Sequence, residues 1–288
     1  VELHSPVDFL EAKIPERIMD ISLEQLNEID EIILQKGWND LINNKGDMIN
    51  SITFELFERV NDHEEFELLK SLIRRYFLCT EYDQYCFKIA KHIEGLFYDE
   101  AIIIIPVSDK DRKIKSGHAV SYDLTRFLDD DKFSEMLILE SLESVGDRIA
   151  DFNIIVVDDF VGSGSQFRAF VKKCAASYGL QAANVYLYSI AMMAKARERI
   201  SDFCYAAIPM VELSRSLSDP SDLGQAIDPL QVYGRIEGRA DVGRNFRRGF
   251  LRSEALVTMK KTPNNTLPIF WCKHDQNGKL WPAIFPRG

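Results

Sequence analysis

From about position 22 to position 96, apolar residues return at intervals of three and four, the repeat of helices with one buried face. Leu23, Leu26, Ile29, Ile32 and Ile33 form the first run, with Ser22 as its N-cap, Gln25 as a capping-box partner and Gly37 as its stop. Later runs pass through Ile49, Ile52, Leu56, Phe57 and Val60, then through Phe66, Leu69, Leu72, Ile73 and Tyr76. A fourth, less clean, carries Tyr82, Tyr85, Phe87, Ile89 and Ile93. The pattern predicts a helical N-terminal domain over 1–98, a bundle suited to packing or homo-oligomerisation.

At Ala101 the rhythm changes. A continuous apolar run over 101–107 has the length of a buried strand, and similar runs start at Ile154, at 184–191 and at 203–209. Between them lie helical patterns around Thr125 and Ser134, from Gln166 to about Tyr178, and near Lys195. Strands spaced by helices predict an α/β domain over 99–288 built on a parallel sheet, with ligands at the carboxyl ends of its strands. The tail differs again. Its two short aromatic stretches, 262–271 and 281–287, flank a turn at Gly278 and predict a β-rich hairpin whose prolines confine it to a sheet edge.

Charge divides the chain as well. Residues 1–100 hold 22 acids against 10 lysines and arginines, while the whole chain carries a net charge of −10, so the remainder is close to neutral. So acidic a front part opposes binding to nucleic-acid phosphates by itself. No apolar run approaches the roughly 20 residues of a membrane span, and the opening residues predict no secretory signal. Five scattered cysteines, an odd number, point to reduced thiols in a cytoplasmic protein rather than to a disulfide framework or a zinc site.

The candidate chemistry lies at 154–166. Ile154, Ile155, Val156 and Val157 run into Asp158 and Asp159, then into Gly162, Ser163, Gly164, Ser165 and Gln166, where a helical pattern begins. Paired acids at a strand end can hold ribose hydroxyls or a metal, and free N–H groups at a helix start suit a phosphate. A Rossmann fingerprint lacks its third glycine, because Phe167 stands there, and no lysine follows as a Walker loop requires. A second loop, 108–118, brings Asp109, Lys110, Lys113, Lys115 and the Ser116–Gly117 pair to the end of the first strand. Further on, residues 235–261 hold eight basic against three acidic side chains; Arg244, Arg247, Arg248 and Arg252 form a strip beside Phe246 and Phe250 that could contact nucleic acid or an acidic partner.

The 154–166 stretch resembles the binding loop of phosphoribosyltransferases. That resemblance implies a phosphoribosyltransferase-like fold, catalytic Asp158 and Asp159 that also hold Mg2+, and a 5′-phosphate cradle from Gly162 to Gln166. Asp109, Lys110, Lys113 and Lys115 would then hold a diphosphate. Two departures stand out: Gly162 occupies a position where some members carry the acid that acts on a purine, and Gln166 replaces the usual hydroxyl. The Asp158–Gly164 form, the 108–118 block and the aromatic tail further resemble a phosphoribosyltransferase-like effector family of prokaryotic conflict systems, including retron-associated members. The implied role is an antiphage toxin acting on phosphoribosyl diphosphate or a nucleotide, restrained by a reverse transcriptase with its RNA–DNA hybrid. The residues themselves leave two alternatives, a nucleotide-sensing module without turnover and a nucleic-acid-binding assembly component.

Overall fold

The computed structural model describes residues 20–107, 116–219 and 227–287. The front part holds α1 (Leu23–Lys36), α2 (Ile49–Phe57) and α3 (His63–Arg75), followed by a two-residue strand β1 (Phe77–Leu78) and α4 (Tyr82–Leu96). Each start has a local cause. Ser22 and Gln25 form the expected capping box on α1, and Gly37 ends it with φ 66°. Asp62 caps α3 by accepting from the Glu65 N–H.

The second part alternates as its pattern requires: β2 (Ala101–Pro106), α5 (Ser116–Thr125), β3 (Glu135–Ile138), β4 (Asn153–Val161), α6 (Ser165–Tyr178), β5 (Val185–Met193), α7 (Ala194–Ile200) and β6 (Ala206–Leu213). The strands form one parallel sheet in the order β3-β2-β4-β5-β6. The chain is therefore a mixed α/β fold, with β4 at the sheet's centre and nearly all its side chains buried. The helical pattern expected around Ser134 is instead the edge strand β3. Its four residues, with Glu135 at the start, are too few to separate the two periods, and pairing with β2 decides the outcome.

The last part comprises α8 (Pro229–Arg239), β7 (Val257–Thr258) and turns. The aromatic tail carries less strand than its pattern predicts. An antiparallel bridge between His274 and Leu280 flanks the Gly278 turn, and a 3-10 turn spans Pro268–Phe270. Pro263, Pro268, Pro282 and Pro286 lack the N–H that a ladder needs.

Packing joins the tail to the front helices. β7 pairs with β1 in parallel. Tyr76 stacks on Phe285 at 4.5 Å and lies near Phe270 at 4.9 Å, while Trp38 meets Phe285 edge-on at 5.2 Å. Arg239 of α8 reaches Glu65 of α3 through both nitrogens, at 2.6 and 2.9 Å. Glu65 is only 1% exposed, and this two-pronged pairing with further contact from Arg235 compensates its burial. One core thus combines α1–α3 with α8 and the tail, while α4 packs with the sheet in another. The tail is held beside the carboxyl end of β4.

Candidate functional site

β4 is the strand that sets the site. Its neighbour β2 ends with Pro106 opposite Val157, and the Val107 N–H donates to the Val157 carbonyl at 3.1 Å. On the other side β4 continues with β5 as far as Val161 opposite Met192. The acids therefore sit slightly inside the strand rather than at its last residue: Asp158 and Asp159 occupy the step where β2 has stopped and β4 has not. Phe160 and Val161 keep the strand running because β5 offers them a ladder.

Both carboxylates are largely buried, at 8% and 7% exposure, yet both line a cavity of about 490 Å³. Their side chains leave opposite faces of the strand. Asp158 accepts the Asp159 N–H at 2.9 Å. Asp159 lies near enough to the segment between β1 and α4 to help raise the Cys79 thiol to about 12, burial being the larger cause. It acts in the same direction on the Tyr82 phenol, again after burial.

The loop after β4 is shaped by two glycines. Gly164 adopts φ 73° at the N-cap of α6, and a Cβ there would lie 2.5 Å from the Ile200 side chain. Gly162 is constrained by contact instead: an added Cβ would fall 2.2 to 2.5 Å from the carboxamide of Asn265. The position that some phosphoribosyltransferases give to an acid is thus occupied from the tail side. Ser163 and Ser165 hydroxyls share a hydrogen bond of 2.8 Å, and the Ser165 N–H donates weakly to Ser163 at 3.4 Å. The first-turn N–H groups of a helix have no intrahelical acceptors. Those of α6 open beside Ser165 and Gln166, both exposed and both lining the cavity with the acids. Backbone amides, the positive end of a 14-residue helix and two hydroxyls form a corner whose chemistry suits an anion.

The opposite wall comes from the tail. Phe250, Lys261, Thr262, Asn264, Asn265 and Arg287 line the same cavity. Asn265 is tied in place: its amide nitrogen donates to the Phe250 carbonyl at 3.3 Å and the Ser253 hydroxyl at 3.1 Å. Its backbone carbonyl accepts from the Ala255 N–H at 3.2 Å and the Ser253 hydroxyl at 2.9 Å. Gly249 has φ 78° and packs so tightly on Asn265 that a Cβ would lie 2.0 Å from its carbonyl oxygen.

The other expected residues are placed as follows. Asp109, Lys110, Lys113 and Lys115 lie outside the described residues. The flanks of their loop, however, meet at the acids: Val107 bonds to Val157, and a Cβ on Gly117 would be 3.0 Å from the same Val157 oxygen. Arg244, Arg247 and Arg252 are exposed, whereas Arg248 is half-buried, with its N–H on Glu237 at 2.7 Å and its guanidinium 3.5 Å from Glu254. Lys261 and Arg287 were not singled out by the sequence as ligands. Neither follows a motif; only packing brings them to β4.

Among the described residues no group of three or more His, Cys, Asp or Glu side chains could cage a metal. Mg2+ does not require one, since it commonly takes one or two carboxylates and fills its octahedron with ligand phosphates and water. Asp158 and Asp159, facing one cavity with an anion corner, fit that manner of binding. All five cysteines are buried and free, and among the described residues no helix is long and apolar enough to cross a membrane.

Comparison with known proteins gives one family. The PRTase-CE model matches residues 55–287, most of the chain. No curated protein matches. Among solved structures, a hypothetical protein from Neisseria gonorrhoeae with bound ppGpp is 11% identical, with 48% of this chain and 82% of that chain covered and a TM-score of 0.33. The xanthine-guanine-hypoxanthine phosphoribosyltransferase of Helicobacter pylori is 13% identical, with coverages of 48% and 88% and a TM-score of 0.32. A hypoxanthine phosphoribosyltransferase from Trypanosoma cruzi, in complex with the product IMP, is 17% identical, with coverages of 45% and 71% and a TM-score of 0.26.

Proposed function

The chain belongs to the phosphoribosyltransferase-like PRTase-CE family, and on that footing we propose that the β4–α6 cavity binds the ribose 5-phosphate part of phosphoribosyl diphosphate or a nucleotide. One observation carries the reading: the two buried carboxylates and the amide end of α6 open on the same cavity. The 5′-phosphate rests on the first-turn N–H groups and on Ser163 and Ser165, while Asp158 and Asp159 accept hydrogen bonds from the ribose hydroxyls. Mg2+, where bound by these acids and by ligand oxygens, offsets the charge of a diphosphate. The paired carboxylates also favour the positive charge that develops at the anomeric carbon as a leaving group departs.

In this reading the protein is a cytoplasmic antiphage effector, toxic through its action on nucleotides and restrained in a retron-type complex with a reverse transcriptase and its RNA–DNA hybrid. The support for that role is the likeness of the aromatic tail, the Asp158–Gly164 form and the 108–118 block to such effectors. Titration calorimetry with phosphoribosyl diphosphate and Mg2+ tests the site, and expression with and without the neighbouring reverse transcriptase tests the role. Binding that vanishes in D158N/D159N, together with loss of toxicity, is the expected result. Absence of binding at millimolar ligand in the unaltered protein would remove the reading.

The crowding of Gly162 by Asn265 favours a second reading, a nucleotide sensor that binds without turnover. It leaves no room for an acid above the sugar. Retained binding with no ligand conversion, and toxicity that responds to nucleotide level, would single it out.

A further inference from the structure

Three guanidiniums of the last quarter have carboxylate partners: Arg235 with Asp62 and Glu64, Arg239 with Glu65, and Arg248 with Glu254. Arg287 does not. Among the described residues no carboxylate lies within ion-pair distance of it, and its one aromatic contact is the Trp271 ring, 5.1 Å below the guanidinium. The side chain is half-buried, and it lines the cavity that Asp158 and Asp159 line from the other side. Burial lowers its pKa from the ordinary value, but a guanidinium at neutral pH remains charged. Removing such a charge from water without a protein counter-charge is unfavourable, and the planar fork is suited to two parallel bonds to a phosphate. Lys261 lines the same cavity at an exposed position, whereas its neighbour Lys260 is already held by Asp123 at 2.9 Å.

We propose that Arg287, assisted by Lys261, is a ligand-binding residue that takes a second phosphate of the bound sugar, across the cavity from the corner that holds the 5′-phosphate. The proposal rests on the ribose 5-phosphate reading and narrows it, because a ligand with one phosphate would leave Arg287 unanswered. It also gives the tail a direct part in the site, beyond its packing on the front helices. The Trp271 ring, 5.1 Å from the guanidinium carbon, offers it a cation–π contact that helps to hold it at the cavity.

Paired titrations of the full chain with phosphoribosyl diphosphate and with ribose 5-phosphate, both with Mg2+, test the idea. R287Q is expected to weaken phosphoribosyl diphosphate by about tenfold or more, the size of one charge-assisted phosphate contact, and ribose 5-phosphate less than twofold. R287K is expected to fall between R287Q and the unaltered protein. Equal weakening of both ligands, or no change with the diphosphate, would overturn the proposal while leaving the ribose 5-phosphate site intact. Failure of the unaltered protein to bind either ligand would remove both. Thermal melts accompany each variant, and if R287Q does not fold, R287K and K261Q carry the same pair of titrations.

Discussion

The two walls of the cavity were assembled in different ways. One wall is a continuous stretch, Asp158 to Phe167, in which strand, loop and helix follow each other along the chain. The other is gathered from Phe250, from 261–265 and from Arg287, and owes its position to contacts made far away: β7 on β1, Phe285 on Tyr76, Arg239 on Glu65. The local wall states a chemistry, acids beside an anion corner. The distant wall sets the shape and admits or excludes a ligand. A motif can therefore be kept while its use changes, because the surface facing it is specified elsewhere in the chain.

This contrast can be broken at several points. The largest effect is expected at the local wall: D158N/D159N should weaken Mg2+-dependent phosphoribosyl diphosphate binding by at least ~100-fold, equivalent to about 2.7 kcal/mol. Circular dichroism and melting should show the fold retained. Next is the contact between the walls. G162D should destabilise the protein by about 1–3 kcal/mol through overpacking, since the Asn265 carboxamide cannot retreat without losing its bonds to Phe250 and Ser253. Adding N265A to G162D should recover part of that loss in chemical denaturation, a coupling that distant sites would not show. G164A should cost a similar amount, about 1–3 kcal/mol, because a left-handed residue gains a methyl 2.5 Å from the stiff, buried γ2-methyl of Ile200.

The smallest expected effect at neutral pH concerns the thiols. Burial raises Cys79 and Cys86 to about 12 and Cys174 and Cys204 to about 11. A raised folded pKa means that the unfolded chain loses its thiol protons first. The associated stability is complete below the unfolded value of about 8.5 and declines as pH climbs toward 11 to 12. The denaturation midpoint should thus fall between pH 7 and pH 10, and native thiols should resist alkylation at pH 8. Because Asp159 contributes to the shift at Cys79 but not at Cys204, D159N should accelerate alkylation of Cys79 alone near pH 9. Equal rates in the two proteins would show that Asp159 faces away from Cys79.

Much of this was legible in the sequence wherever the cause is local. The capping box at Ser22, the stop at Gly37, the central strand and the helix after Gly164 all follow from neighbouring residues. The pattern predicts helix where β3 forms, because four residues beside a turn carry too little period, and pairing at the sheet edge decides for strand. The two short aromatic stretches of the tail predict a hairpin, but its prolines and its packing on the front helices leave a bridge and a 3-10 turn. The basic run over 235–261 read as one strip. Arg235 and Arg239 in fact face acids at the start of α3, more than 150 residues away, which spacing cannot find, and Arg248 faces the buried Glu254 of the tail itself. Asn265, Lys261 and Arg287 escaped for the same reason, although the paired demands of Gly162 and Asn265 are visible once both are seen together.

The most direct measurement is a crystal structure of the full chain with phosphoribosyl diphosphate and Mg2+. The 5′-phosphate should lie on the first-turn amides of α6, with the ribose hydroxyls against Asp158 and Asp159. Ligand bound in another cavity, or density absent at saturating concentration, would contradict the account.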